Sequence, residues 1–352
     1  MTRETRRIWA DRMAALAIGC ALSLGLAAAR RAAAAQVEAF ASVEAGTAGP
    51  CTVTPVFLPG GPPFSGVYGV PPDFQACGFS ADSGLSDVVQ PGGAAVASWT
   101  ASTTQFAGSS QAQAEFGRLG ARASGTNSAQ GNVLGNAAGA YGAFTDTLTV
   151  TSPAKATCDG GYVRLDFAVD GQVSAHNGAY DPGVHQLLGH ANAMVAVRVD
   201  GTPANVLAAQ AVLNGSQVPS TTPLNAPGFV PTQDPTGWTF AGSTVARSPL
   251  LFFQFGTPFV VTAGLLAEAY PQTESQAMGD AGADFFATAT LTAIEVFDAG
   301  QAPLADFQIS AESGTHYAPE PWECVAGLGA LSALLALAGG RPRRALPFAS
   351  RA

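Results

Sequence analysis

Val163-Arg164-Leu165-Asp166-Phe167-Ala168-Val169-Asp170-Gly171 is the stretch that decides the fold class. Val163, Leu165, Phe167 and Val169 fall on one side of an extended chain, and Arg164, Asp166 and Asp170 on the other. A period of two with one apolar side is the signature of a strand with a dry face and a wet one. The alternation recurs where Ala191, Ala193, Val195, Val197 and Val199 are set against Asn192, Arg198 and Asp200. Thr145 to Val150 and Ala283 to Phe297 behave in the same way, and residues 36–317 show almost no helical periodicity. Asp170-Gly171 and Asp200-Gly201 follow such runs directly, and Asp-Gly suits a tight hairpin turn that needs positive φ. The spacing suggests roughly ten to thirteen strands, too many for one flat sheet. The expectation is an all-β domain, a jelly-roll-like β-sandwich. A β-solenoid is the second choice, but it requires a repeat of fixed period and none is found. Stretches 46–80, 176–190 and 215–236 read as long loops. The last carries Pro219, Pro223, Pro227, Pro231 and Pro235 at four-residue spacing, which favours a stiff, extended loop.

Outward from this domain, residues 1–35 read as a signal peptide. Arg3, Arg6, Arg7 and Arg12 precede an apolar run from Met13 to Ala29, and Arg30-Arg31 and a small-residue stretch follow. Cleavage is expected after Ala33-Ala34-Ala35, leaving Gln36 as the new N-terminus. Thr5-Arg6-Arg7-Ile8-Trp9 also looks like a twin-arginine motif. Ala10-Asp11 continues it poorly, so the general secretory route is preferred over the twin-arginine one.

Removing the ends changes the electrostatics. The whole chain has 16 basic and 25 acidic residues, net −9. Residues 36–317 keep only Arg118, Arg122, Lys155, Arg164, Arg198 and Arg247 as positives. Glu4, Asp11, Glu320 and Glu323 fall outside, leaving 21 acids and a charge near −15. That sign argues against nucleic acid or anionic membrane surfaces as partners of the domain. Three cysteines remain in it: Cys51, Cys77 and Cys158. In an exported protein two of the three should pair. Cys51–Cys77 is the expected bond because it brackets the Pro/Gly-rich stretch Pro55–Pro72, and pairings through Cys158 are the alternatives. Closing that loop is worth about 3 kcal/mol in the chain-entropy view.

The search for chemistry nominates no catalytic residue. His176, His185 and His190 lie close in sequence, and with Asp181 they are conceivable ligands for zinc or nickel. The spacing fits no closed metal site, however, so surface histidines are the better reading and no metal or cofactor is expected. No G-x-S-x-G elbow, H-E-x-x-H, phosphate-cradling glycine loop or calcium loop is present. Asp166, Asp170, Asp181, Asp200 and Asp234 read as solvated strand faces and turns. Trp99, Trp238, Tyr141 and Tyr180 could line a sugar site, with core packing as the default.

The C-terminus is more explicit. Tyr317-Ala318-Pro319-Glu320-Pro321-Trp322 leads into Cys324–Gly340, 17 residues without a charge, and then Arg341, Arg343 and Arg344. As a helix that span reaches about 26 Å, the lower edge of what crosses a hydrocarbon core. Its six large aliphatics contribute about −2 to −4 kcal/mol to insertion. The arginines should stay cytoplasmic, which leaves Pro319, Glu320 and Pro321 on the outer face. In order and spacing these elements, behind an export signal, resemble the C-terminal sorting signal of PEP-CTERM proteins, substrates of the membrane enzyme exosortase. Glu323, Cys324 and the extra residues 345–352 depart from the usual pattern.

The resemblance implies a signal peptide over 1–35, an exported domain over 36–317, a sorting signal with one transmembrane helix over 318–344, and a cytoplasmic tail over 345–352. It implies an exosortase-like processing partner, tethering to the inner membrane by the C-terminal helix, and then release to the cell surface or extracellular matrix. Pro319, Glu320 and Pro321 would serve recognition, and Arg341, Arg343 and Arg344 orientation. The delivered domain reads as a non-enzymatic structural or adhesive protein. The alternatives are a carbohydrate-binding module associated with exopolysaccharide and a cryptic secreted hydrolase.

Overall fold

The computed structural model describes residues 35–44, 84–127, 136–177, 189–213, 228–271 and 279–317. Fifteen strands follow one another: β1 (Gln36–Glu44), β2 (Gly84–Gln90), β3 (Ala95–Ser102), β4 (Phe106–Glu115), β5 (Arg118–Asn127), β6 (Ala137–Thr151), β7 (Gly160–Asn177), β8 (Gly189–Val199), β9 (Thr202–Leu213), β10 (Phe229–Asp234), β11 (Gly237–Arg247), β12 (Leu251–Gln254), β13 (Phe259–Tyr270), β14 (Gly279–Asp298) and β15 (Gln308–Ala311). Sheet one has the order β2-β1-β6-β13-β8-β9, with β15 also on β6. Sheet two has the order β10-β11-β7-β14-β5-β4-β3, with β12 also on β7. Every ladder is antiparallel. The two sheets face each other as an all-β sandwich, and no described residue is helical.

The alternating apolar positions build the core. Val163, Leu165, Phe167 and Val169 of β7 point inward and are buried, as are Ala191, Ala193, Val195, Val197 and Val199 of β8. Phe229, Phe240 and Phe285 stack across one end of sheet two. Phe253 packs on Phe255 and Phe259 at the other end, with ring centroids 4.8 and 5.1 Å apart. Elsewhere the interior is mostly Ala and Val, small side chains that let two sheets approach closely.

One expected hairpin turn forms and the other does not. Asp200 and Gly201 join β8 to β9 with φ +45° and +84°, the doubly positive pair that a tight hairpin demands. Asp170-Gly171, by contrast, runs straight on inside β7, where Asp170 pairs with Ser243 and Gly171 with Gly242. Glycine is needed there for space: a Cβ on Gly171 would stand 2.5 Å from the Phe285 ring. The expected loop 215–236 is also shortened, because β10 occupies its end. Pro231 fits that strand because β10 lies at the edge of the sheet.

Between Phe285 and Ala289, β14 carries two residues more than β5, which pairs across the gap through Ala121 and Leu119. The bulge folds the Phe286 carbonyl over Gly120, where a Cβ would sit 1.9 Å from that oxygen. The chain divides into two units, Met1–Tyr317 and Ala318–Ala352, and the second lies outside the described residues.

Candidate functional site

The first site is the place where the chain leaves the sandwich. β15 pairs with the Thr151–Leu148 end of β6, and Gln36 of β1 pairs with Thr145. β15 and β1 therefore run in one lane beside β6, in the same direction. The start of β1 closes the lane to the chain that follows Ala311, and Asp146 captures that chain. The Asp146 carboxyl is fully buried and accepts from the N–H of Thr147 (2.8 Å), the N–H of Ser313 (3.1 Å), the Ser313 hydroxyl and the Tyr317 hydroxyl (2.6 Å). Tyr317 lies stacked on Phe144 with centroids 5.9 Å apart. Burial, with the Asp146 hydrogen bond and charge, pushes the Tyr317 phenol above its usual range. Both ends of the sandwich, Gln36 and Tyr317, thus emerge at adjacent positions on β6. Sequence reasoning gave Asp146, Ser313 and Tyr317 no role in a site. The available signal was an acid in phase with inward Phe144, Leu148 and Val150.

The second is the outer face of sheet two. β5 presents Arg122, Ser124 and Thr126, β14 presents Asp280, Gly282 and Asp284, and β7 presents Gln172 and Ser174. These small polar side chains line a depression of about 430 Å³. A second depression of about 470 Å³ adjoins it across Gln172 and Asp284 and reaches Asp170, Ser243 and Phe286. The bulge of β14 borders the second depression at Phe286 and is fixed in place. Gln113 Nε2 donates to the Phe286 carbonyl at 2.7 Å, the Phe286 N–H donates to Asp284 at 3.2 Å, and the Arg122 guanidinium lies 5.1 Å over the Phe286 ring. Together they make a polar trough with one half-buried aromatic, Phe286, in the wall of the second depression.

The third is the outer face of sheet one, where Phe40, Tyr141, Leu266 and Met194 stand in one cross-strand row. All but Phe40 are buried, as are Ala143 and Ala196 in the next row. Beside them Glu268 is 1 % exposed, with Asn192 Nδ2 at 3.4 Å. Burial pushes its carboxyl up to about 8, against hydrogen bonds from Asn192 and Tyr270. The Tyr141 phenol is raised by burial and by Glu38, with Arg198 opposing. Glu268 too was missed, although it interrupts the apolar run Leu265-Leu266-Ala267.

The histidines do not converge. His176 ends β7 in sheet two, His190 lies in β8 of sheet one, His185 is outside the described residues, and His316 is exposed. His176 Nδ1 is 3.4 Å from Asp280 and its Nε2 is 3.3 Å from the Thr239 hydroxyl, with Asp234 at 3.9 Å. This Asp-His-Thr chain has the order of a nucleophile relay. Thr239 sits in mid-strand, however, paired with Ser174 on one side and Thr232 on the other, so the backbone around it is committed to ladders and not to an oxyanion. No group of three or more possible metal ligands occurs among the described residues.

The aromatics also scatter. Trp238 packs on the core from β11, Trp99 lies on β3 at the opposite edge, Tyr141 is buried on sheet one, and Tyr180 lies outside the described residues.

Pro319, Glu320, Pro321, the span Cys324–Gly340, Arg341, Arg343 and Arg344 lie outside the described residues, as does the signal segment 1–34. Cys51 and Cys77 do too, whereas Cys158, in the turn between β6 and β7, is disulfide-bonded. Comparison with models of known families, with curated proteins and with solved structures finds no match to this chain.

Proposed function

We propose that this is an exported surface or extracellular-matrix protein of structural or adhesive type, tethered by its C-terminal span and matured by an exosortase-like membrane enzyme. One observation carries the reading. Pro319-Glu320-Pro321, an uncharged span of 17 residues and an arginine cluster follow in fixed order directly after the last residue of the domain. The rest of the domain serves that reading as a stable, chemically quiet body. A jelly-roll-like topology for the sandwich belongs to the same reading. Glu320→Ala should leave a larger, membrane-retained species in cell fractionation. Identical mobility and partitioning of wild type and variant would sink the proposal.

A second reading, a glycan-binding module acting in exopolysaccharide, is favoured by the trough on sheet two. Its Ser, Thr, Gln and Asp side chains supply donors and acceptors suited to a neutral sugar chain, and its small floor residues leave room for one. In a polysaccharide pull-down, Arg122→Ala combined with Asp284→Ala should abolish retention. Unchanged retention would remove the trough from consideration.

A further inference from the structure

We propose that the Asp146–Ser313–Tyr317 clamp controls access of the processing enzyme to Pro319-Glu320-Pro321, so that maturation waits on release of residues 312–317 from the sandwich. The inference rests on the sorting reading above. Tyr317 is 9 % exposed and its hydroxyl is held at 2.6 Å by a carboxyl that has no exposure at all. Gly117 packs against the same ring, with a Cβ position 3.5 Å from it. Only Ala318 then separates a buried anchor from Pro319. An enzyme that takes its substrate as an extended chain needs free residues on both sides of the reacting bond. On the N-terminal side the clamp leaves one.

The tether gives the same answer in length. With the clamp closed, seven residues of chain run from Tyr317 to Cys324, a contour length of about 25 Å. Within that gap the headgroup layer and the enzyme's own outer surface must both fit. Opening the clamp back to Ala311, the last residue of β15, lengthens the tether to thirteen residues, or about 45 Å. The elements released are suited to opening. β15 has only four residues, none of them buried. Beyond it the chain is held by the Glu312 N–H on the Thr147 carbonyl (2.9 Å), by the Asp146 carboxyl and by the Tyr317 ring on Phe144. Asp146 and Tyr317 are in this sense positioning residues: they touch no bond that changes, and they decide whether the enzyme reaches one.

The test uses the full-length chain in cells that process it, with Glu320→Ala as the unprocessed control. A flexible Gly-Ser spacer of about eight residues between Tyr317 and Ala318 leaves the clamp intact and frees the motif. It should speed conversion of the retained species several-fold. Tyr317→Phe keeps the stacked ring and removes one hydrogen bond to the carboxyl, and should act in the same direction more weakly. A spacer variant that matures at the wild-type rate, or more slowly, overturns the proposal. Should wild type and Glu320→Ala behave alike, the sorting reading itself fails, and the clamp is then judged on full-length protein in detergent. There Tyr317→Phe should raise amide exchange across 312–317 by about tenfold or more, the usual consequence of losing a hydrogen bond to a charged group. Equal exchange in both proteins would show that Asp146 holds nothing closed.

Discussion

Sheet one and sheet two look alike in sequence and differ on their outer faces. On sheet two most positions between core residues are wet: Asp170 and Gln172 are exposed, Val245 is 53 % exposed and Arg164 pairs with Glu295. Asp166, expected on a solvated face, is the exception, buried beside Arg164 and Arg247 with its carboxyl raised by that burial. On sheet one the corresponding positions in the middle of β6, β8 and β13 are closed from both sides. Ala137 to Phe144 and Ala263 to Ala269 form unbroken buried runs. Every described strand belongs to one of the two sheets, so no described strand forms a third layer there. The two faces also differ in which residues fill the alternate positions. Tyr141, Ala143, Met194, Ala196, Gly264 and Leu266 are apolar or small, and a strand dry on both faces reads as a continuous apolar run. Alternation thus locates a strand, and the chemistry of its weaker phase decides whether that face meets water.

The comparison breaks most readily at Glu268. A carboxyl whose folded pKa rises from 4.5 to about 8 through burial binds its proton more tightly in the folded state than in the unfolded. Stability should therefore be greatest below about pH 4.5 as far as this group is concerned, and fall as pH rises to about 8. At about 1.4 kcal/mol per unit the full loss is of the order of 4–5 kcal/mol. Glu268→Gln keeps the shape, should flatten the pH dependence over that window and should raise stability at pH 8. Chemical denaturation at pH 5 and pH 8 measures it. Parallel pH profiles for wild type and variant would mean that the outer face of sheet one is as wet as that of sheet two.

Much of the sandwich was legible because its cause is local. The β7 and β8 alternations place Val163 to Val169 and Ala191 to Val199 in the core through backbone geometry alone, and Asp200-Gly201 makes its turn for the same reason. Gly171 misled because its demand is set by Phe285, more than a hundred residues away. The bulge at Phe286 and the clamp at Asp146 were illegible on the same ground. Each depends on pairing between distant strands, and a sequence shows an acid in an apolar phase without showing what meets it. The proposed sorting signal differs in kind: it rests on order and spacing within thirty residues, and it lies outside the described residues.

The comparison sharpens at the scale of single aliphatic side chains. Leu266 and Val245 both sit on outward phases, of β13 and β11, and both would be read from sequence as surface positions. Leu266 is 8 % exposed, packed with Tyr141 and Met194, whereas Val245 is 53 % exposed opposite Ala168. Leu266→Ala should therefore behave as a core truncation, costing about 2–4 kcal/mol through lost burial and an unfilled space. Val245→Ala removes methyls that water already touches, and should change stability by no more than about 0.5 kcal/mol. Urea denaturation of both variants, with unchanged slopes, gives the two numbers directly. Equal small costs would open the outer face of sheet one to solvent and leave Glu268 without a reason for its shift. Equal large costs would show that sheet two is covered as well, and would take the trough along β5, β14 and β7 out of reach of any polymer.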